Sequence, residues 1–297
     1  MLLLLPDFLL IVAGFVLCRY TPLDRPVWEA AEKLVYFLLF PVLLFNSISR
    51  SSLSPGDTMA LMGGGLGVML TGIALAFALR WVPGVDARTH ASGSQVAFRF
   101  NSFVALALAE RLYGAQGVAW IAMIVAVCVP VANVAAVYPL ARHGGHGYLR
   151  ELARNPLIVS TLAGLAANLL GLRLPEPAAI SLQKIGLAAL PLGLMAVGAG
   201  LRLGALKDAP WLATALLSIR HVVLPLVALL IGHLLALPAP QAALLLAFAA
   251  MPTASSAYVL AVRMGGNGPF VAGLVTVSTL LGMIVLPLWL ALVTGSS

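Results

Sequence analysis

The sequence predicts an all-α membrane protein with ten transmembrane helices. Of its 297 residues, 61% are hydrophobic and only 9% are charged, and the mean hydropathy is +1.04. A soluble domain usually carries about 25% charged residues. A soluble core of this length could not bury so much apolar surface, so lipid must be the solvent for most of the chain.

Apolar segments long enough to cross a bilayer follow one another along the chain. Charged residues, prolines and glycine clusters separate them, and a crossing helix needs about 20 mainly apolar residues. The stretch from Val222 to Val262 contains no Lys, Arg, Asp or Glu and must fold back at Pro238 and Pro240 to form two spans. The predicted spans lie near residues 3–19, 33–50, 58–80, 92–112, 117–141, 155–172, 180–202, 211–236, 241–263 and 270–293.

The Lys and Arg residues between the spans predict the orientation, because cytoplasmic loops collect basic residues. With the N-terminus outside, twelve of these cations lie on the inner side and four on the outer side. We therefore expect a multi-pass protein of the plasma (inner) membrane with both termini facing outside. The inner cations are Arg19, Arg25, Lys33, Arg80, Arg88, Arg99, Arg142, Arg150, Arg154, Arg202, Lys207 and Arg263, and the outer ones are Arg50, Arg111, Arg173 and Lys184.

Several other functions are disfavoured by the residue pattern. The net charge of +7 does not indicate a nucleic-acid partner, because the cations are scattered singly along the chain. His143 and His146 have no further ligands beside them, so neither a metal nor another cofactor is expected. The chain lacks His-Glu-x-x-His and Gly-x-Ser-x-Gly motifs and carries no pair of acids at mid-membrane, so we do not expect an enzyme.

The central loop at residues 142–154 divides the chain into two halves of five spans, residues 1–141 and 155–297. An odd number of spans forces the second half to be inserted upside down relative to the first, as in the inverted repeats of many secondary carriers. Prolines occupy matching spans, and although each match alone is explained by a tolerated kink, the set favours a duplication. The matched prolines are Pro41 and Pro191 in spans 2 and 7, and Pro130 and Pro287 in spans 5 and 10.

Spans 4 and 9 carry polar residues that weaken a membrane helix. Pro252 in span 9 cannot donate an N–H, and the hydroxyls beside it can bond to backbone carbonyls, so we expect a helix break there. A broken helix exposes a half-helix N-terminus that can hold an anion. In span 4, Asn101 takes the corresponding position, although an interhelical hydrogen bond explains this residue at least as well. The predicted substrate-binding residues are Asn101, Ser102, Pro252, Thr253, Ala254, Ser255 and Ser256.

Two ionisable residues lie about ten residues into span 8, too deep to reach the interface easily. Arg220 either neutralises a carboxylate substrate or pairs with a backbone carbonyl or an acid elsewhere in the bundle. His221 either carries a coupling proton, because imidazole titrates near physiological pH, or is a hydrogen-bonded structural histidine. The sequence leaves both alternatives open.

Five short motifs resemble the auxin efflux carrier family, which includes plant PIN-type auxin exporters and bacterial malonate and malate permeases. The resemblance covers essentially the whole chain. The motifs are Phe98-Arg99-Phe100-Asn101, Val129-Pro130-Val131-Ala132-Asn133-Val134, Asn155-Pro156-Leu157-Ile158, Ala189-Leu190-Pro191-Leu192-Gly193-Leu194 and Met251-Pro252-Thr253-Ala254-Ser255-Ser256-Ala257-Tyr258.

The resemblance implies a scaffold of spans 1, 2, 6 and 7 and a transport unit of spans 3 to 5 and 8 to 10 that moves in an elevator-like shift. It also implies a homodimer through the scaffold, and a site for malonate, malate or a related carboxylate where spans 4 and 9 cross. PIN-type exporters have a proline shortly after the span 4 asparagine, but residues 104–108 contain none, so we expect a less sharply broken first crossover. A passive anion channel is the alternative function, because broken inverted repeats can also conduct, and an intramembrane enzyme is a more distant one.

Overall fold

The computed structural model describes residues 5–50, 55–82, 84–141, 156–172, 174–201, 209–254 and 256–294. Throughout these ranges the regular structure is helical, without a strand. The predicted all-α class is therefore confirmed. The central loop at 142–154, with His143 and His146, lies outside the described residues, as does Ser255.

The helices follow the predicted spans closely, and several spans consist of two helical pieces. Before the central loop they are α1 (Leu5–Tyr20), α2 (Arg25–Leu34), α3 (Phe40–Ser49), α4 (Pro55–Ala78), α5 (Ala87–Gly93) and α6 (Ser102–Ala141). After it they are α7 (Pro156–Leu169), α8 (Glu176–Leu187), α9 (Ala189–Ala199), α10 (Pro210–Ser218), α11 (Leu224–Leu234), α12 (Ala239–Ala250), α13 (Ser256–Arg263) and α14 (Gly268–Thr294).

Two π-helical turns, Val35–Leu39 and Ile219–Val223, join α2 to α3 and α10 to α11. Each turn precedes a helix whose second residue is proline, Pro41 in α3 and Pro225 in α11. A proline lacks an N–H and clashes with the carbonyl four residues earlier, and the wider π turn relieves this conflict. The helical path therefore continues through both prolines.

The chain reverses direction inside α6, at the predicted boundary between spans 4 and 5. Tyr113 and Gly114 leave the helical conformation, and Gly114 has a φ of 57°, which glycine adopts at little steric cost. The Gly117 backbone lies so close to the Ala109 carbonyl that a Cβ atom would collide with it. In a straight helix, two residues eight positions apart, such as Ala109 and Gly117, are separated by about 12 Å. The long helix α6 therefore consists of two helices folded against each other.

Several helices are long and apolar enough to cross a membrane, so the chain is a multi-pass membrane protein. Within the described ranges these candidates are Thr58–Trp81, Ala87–Leu140, Glu176–Ala199, Pro210–Leu234 and Gly268–Leu292. Shorter apolar helices cover Leu9–Tyr20 and Ala239–Ala250. The count of ten spans stays a prediction.

Two helix pairs pack closely through glycines, as is typical of membrane helices. Where α1 lies on α9, Gly14 faces the carbonyl of Met195, which leaves no room for a Cβ atom. Gly198 faces the carbonyl of Ile11 across the same interface. Where α3 lies on α7, Gly164 permits a similarly close approach.

Helix α12 lies in the interior of the bundle. Its residues 243–250 are all buried, and the helix packs against α4, α6, α11 and α14. The chain leaves the helical conformation at its C-terminal end, which places the predicted break of span 9 deep inside the protein.

Candidate functional site

Two breaks in the helices meet inside the bundle. The first, at residues 98–101, separates α5 and its 3-10 extension (Ser94–Ala97) from α6, and the second follows α12 and precedes α13. The Asn101 backbone N–H donates to the Pro252 carbonyl at 2.9 Å. The rings of Phe100 and Phe248 stack edge-on with centroids 4.7 Å apart. The structure therefore brings the predicted residues of spans 4 and 9 into direct contact.

The first break is stabilised by the side chain of Asn101. Its Oδ1 accepts hydrogen bonds from the N–H groups of Phe103 at 3.0 Å and Val104 at 3.3 Å, which makes it the N-cap of α6. Residues 98–101 leave the helical conformation although residues 104–108 contain no proline, and the sharpness of this crossover relative to PIN-type exporters stays a prediction. An asparagine cap ends the preceding turn and starts a new helix without the help of a proline.

The Asn101 side chain is 4% exposed and also carries an amide donor. Its Nδ2 makes no hydrogen bond within the described part of the chain. Ser102, the first residue of α6, is half-buried beside it. The break therefore presents an amide donor next to a helix N-terminus.

The second break runs through Met251, Pro252, Thr253 and Ala254. The Thr253 N–H, which has no helical acceptor, donates to Ser278 Oγ of α14 at 2.9 Å. The Oγ1 of Thr253 is fully buried and has no partner among the described residues. Ala254 is half-buried, and Ser256, which begins α13, is exposed.

Arg220, in the π turn between α10 and α11, forms hydrogen bonds with the backbone at the end of α12, where the second break begins. Its Nε donates to the Met251 carbonyl at 2.6 Å and its Nη2 to the Phe248 carbonyl at 3.1 Å. The side chain is only 1% exposed. A cation at a helix C-terminus satisfies carbonyls that lack a helical partner and interacts favourably with the helix dipole. In this structure Arg220 pairs with backbone carbonyls, which is one of the arrangements that the sequence left open.

His221 lies next to the same break and contacts it through a serine. Its Nε2 is 2.9 Å from Ser278 Oγ, the atom that accepts from Thr253, and Trp289 Nε1 donates to the His221 carbonyl at 3.0 Å. The Nδ1 atom is buried without a partner in the described ranges. The ring therefore contacts the serine hydroxyl that also accepts from the unwound backbone.

A family model described as "Membrane transport protein" matches residues 141–290. This range covers half of the chain and contains both Arg220 and the second break. The chain belongs to this family. The resemblance to the auxin efflux carrier family is thereby confirmed.

Two curated relatives of this transporter align along nearly its whole length. A protein named "Putative malonate transporter" from Rhizobium meliloti is 27% identical over 304 residues, which cover 95% of the chain and 92% of the relative. A protein named "Uncharacterized transporter" from Methanothermobacter thermautotrophicus is 25% identical over 294 residues, which cover 94% of each. The similarity thus includes the first break as well as the second.

Sequence reasoning missed a polar network beside the first break. By its position between apolar runs, Arg99 counts as an inner-loop cation. In the structure it lies within the first break, at residues 98–101. Its guanidinium donates to Gln95 Oε1 at 3.0 Å and to Asn133 Oδ1 at 2.6 Å. Gln95 Nε2 in turn donates to the Ala257 carbonyl at 3.1 Å. The depth of Arg99 within the predicted span 92–112 was the signal that could have identified it.

The described residues contain no group of three or more His, Cys, Asp or Glu side chains that could hold a metal ion. The crossing instead offers backbone N–H groups, an amide, a hydroxyl and nearby cations. These are groups that bind a carboxylate or another small anion.

Proposed function

We propose that this transporter is a secondary carrier of a small carboxylate, such as malonate, malate or a related anion. The observation that carries the proposal is the meeting of two broken helices at the Asn101–Pro252 hydrogen bond, 2.9 Å long. The N-termini of α6 and α13 both lie beside this contact. The Phe103 and Val104 N–H groups already donate to Asn101 Oδ1, so the positive dipole ends of the two helices and the Asn101 amide donor are what favour a negatively charged ligand.

Polar atoms without partners support a ligand at this crossing. Asn101 Nδ2 and the buried Thr253 Oγ1 make no hydrogen bond within the described ranges. Buried polar groups are nearly always hydrogen-bonded in folded proteins, so the unsatisfied Thr253 hydroxyl in the same break as the Asn101 contact is consistent with a missing partner there. Both atoms can donate to carboxylate oxygens.

The charge distribution supports an anion rather than a cation. Residues 87–109 and 209–297, which include both breaks, contain four arginines and no Asp or Glu, and carboxylates flank these segments only at Asp86, Glu110 and Asp208. Without carboxylates, these segments offer a metal ion or an organic cation no counter-charge. A carboxylate experiences the field of these arginines as attractive.

The packing supports the inverted-repeat architecture. The pair formed by α1 and α9 joins spans 1 and 7, and the pair formed by α3 and α7 joins spans 2 and 6, which is the same pairing with the two halves exchanged. We propose two five-span repeats, 1–141 and 155–297, joined by the loop 142–154. Spans 1, 2, 6 and 7 then form the scaffold of a homodimer, and both termini face outside.

A gap between the two units supports an elevator-like movement. A cavity of about 490 Å³ lies between α1 and α9 on one side and the end of span 4 on the other. Leu10 and Pro191 line the scaffold side, and Ala107, Glu110 and Arg111 line the other. An alternating-access carrier moves one unit against the other around its site, and a loosely packed boundary allows that movement.

The test is transport by purified protein in proteoliposomes. We expect malonate or malate inside the vesicles to accelerate uptake of labelled substrate, because a carrier exchanges while a channel does not. Asn101→Ala should abolish this uptake. The matched control is Asn168→Ala, which removes an asparagine whose Nδ2 donates to the Ile48 carbonyl at 2.9 Å, far from the crossing in the fold. The channel alternative would be established if uptake by the parent and by Asn168→Ala did not saturate and was not accelerated by internal substrate.

A further inference from the structure

A second cavity, of about 540 Å³, lies at one end of the helix bundle. Its walls come from the end of α4, the start of α5, the last turn of α6 and the turn between α13 and α14. None of the predicted substrate-binding residues lines it. The cavity is therefore a different site from the crossing of the two breaks.

Two arginines line this cavity and are exposed to solvent. Arg88 donates from Nε to the Gly265 carbonyl at 2.9 Å, and the Arg80 guanidinium lies 4.5 Å from the centroid of the Trp81 ring. Neither arginine forms an ion pair with a carboxylate in the described ranges. Arg88 also attracts the nearby Asp86 carboxylate, so Arg80 is the less compensated of the two charges in the cavity.

The cavity wall also contains one carboxylate, that of Asp86. Its Oδ2 accepts from the Thr89 N–H at 2.8 Å, and this hydrogen bond holds the pKa of Asp86 below its usual range. His90 also lines the wall, and its Nε2 is bonded to the Ala76 carbonyl at 2.8 Å. The two arginines outweigh the single ionised carboxylate, so the cavity has a net positive charge.

Tyr138 in the cavity wall and Trp81, which lies beside the lining residue Arg80, indicate that the mouth of the cavity lies at the depth of lipid headgroups. Trp81 is 71% exposed and Tyr138 is 56% exposed, and each lies at the end of a long apolar helix. Exposed Trp and Tyr side chains concentrate at the boundary between hydrocarbon and headgroups. Apolar walls from Phe77 and Leu140 continue from this boundary into the cavity.

We propose that this cavity binds the phosphate headgroup of an anionic phospholipid at the cytoplasmic face. Basic pockets between transmembrane helices on that face suit such headgroups, and arginine bonds phosphate oxygens in pairs. A lipid fits better than a soluble phosphate, because the aromatic mouth and apolar walls accommodate the start of the acyl chains. All the walls belong to the proposed transport unit, so a bound lipid travels with that unit.

The test titrates lipid into the full-length protein in detergent and follows its thermal unfolding temperature. The lipid concentration that gives half of the maximal rise in this temperature measures the affinity. Phosphatidylglycerol is compared with phosphatidylcholine and with soluble glycerol 3-phosphate. We expect stabilisation by phosphatidylglycerol alone. Arg80→Gln should weaken this effect about fivefold and Arg80→Gln/Arg88→Gln about thirtyfold, from the usual contribution of one basic residue near anionic lipid. Arg80→Gln leaves the bond between Arg88 and Gly265 intact, so it separates lipid binding from folding.

Two control variants sharpen the result. Arg19→Gln removes an exposed arginine at the end of α1, on the same predicted side but outside the cavity, and should bind phosphatidylglycerol like the parent. Asp86→Asn keeps a helix cap while removing the negative charge, and should strengthen binding about fivefold. Equal weakening by Arg19→Gln, no weakening by the double variant, or equal stabilisation by glycerol 3-phosphate would each overturn the proposal. The measurement needs no transport, so its failure is distinct from a failure of the carboxylate-carrier proposal.

Discussion

The two breaks differ in how they satisfy the backbone that they expose. At the first break, Asn101 caps its own helix through the N–H groups of Phe103 and Val104, so the helix that follows is capped from within four residues of the chain. At the second break, Pro252 removes one donor, and distant residues satisfy the rest: Arg220 binds the carbonyls of α12, and Ser278 binds the Thr253 N–H. The first break thus combines a local cap with tertiary contacts, whereas the side chains that support the second break all come from distant helices.

This difference has a physical reason. An N-terminal helix end needs acceptors for its N–H groups, which a neighbouring asparagine supplies at short range. A C-terminal helix end inside a membrane protein needs donors for its carbonyls, and hydrocarbon offers none. A buried arginine from another helix supplies several donors with a favourable charge. We therefore expect substitution of Arg220 or Ser278, which support the second break, to affect folding, and substitution of Asn101 at the first break to affect mainly transport.

The largest effect is expected for Arg220→Met, which removes the side-chain donor of the buried Met251 carbonyl, while the Phe248 carbonyl keeps the Met251 N–H as a donor. We expect a loss of about 3 kcal/mol of stability, because unsatisfied buried groups are costly. Thermal unfolding in detergent measures it. Arg220→Lys, which keeps a charge but only a single nitrogen, should fall between the parent and Arg220→Met. Unchanged stability combined with lost transport in the Met variant would instead assign Arg220 to the substrate.

Asn101→Asp separates the cap from the amide donor at the first break. The carboxylate still caps α6, so the unfolding temperature should stay close to that of the parent, whereas Asn101→Ala should lose about 1 kcal/mol. Both variants should lose carboxylate uptake, the Asp variant because its charge repels the anion. Uptake at the parental rate by Asn101→Asp contradicts the proposed site.

Ser278→Ala tests the weaker of the two tertiary supports. It removes the acceptor for the buried Thr253 N–H, and we expect a loss of about 1 to 2 kcal/mol in thermal unfolding. Thr279→Val is the matched control, because the Thr279 hydroxyl bonds the Val275 carbonyl within its own helix. An equal loss in the two variants would mean that Ser278 contributes nothing specific to the break.

His221→Gln tests whether the histidine positions Ser278 or carries a proton. A glutamine can still bond the serine hydroxyl, so we expect uptake to change less than about twofold at pH values on both sides of the histidine titration range. The measurement is the pH profile of substrate exchange in proteoliposomes. If the variant lost the pH dependence that the parent shows, the proton-carrying alternative would be established.

The smallest effect is expected for Ser102→Pro, which adds a proline to the first break. Ser102 is the first residue of α6, a position where the missing N–H and fixed φ of proline are tolerated. Stability should change by less than about 1 kcal/mol, and uptake should persist. A large loss of stability would show that the first break, too, depends on contacts beyond its own residues.

The sequence predicted both breaks because their causes are local. Pro252 and the hydroxyls beside it weaken a helix in any surroundings, and Asn101 is a polar residue in an apolar run. The supports of the breaks were harder to predict. Arg99 bonds Asn133 and His221 bonds Ser278 across 34 and 57 residues of sequence, and pairings over such separations leave no periodic pattern. The carbonyl bonds of Arg220 could be identified only once the positions of the Phe248 and Met251 carbonyls were known, and its role towards a substrate stays a prediction.

The glycine contacts between α1 and α9 have a consequence for measuring motion. Because Gly14 and Gly198 bring the two backbones together without intervening side chains, these helices form a single stiff body that resists sliding. A pair of spin labels with one on each helix should report one fixed distance throughout the transport cycle. The distance between these two labels is therefore a constant reference. A change in the distance from either label to a third label on α6 or α12 then reports movement of those helices alone.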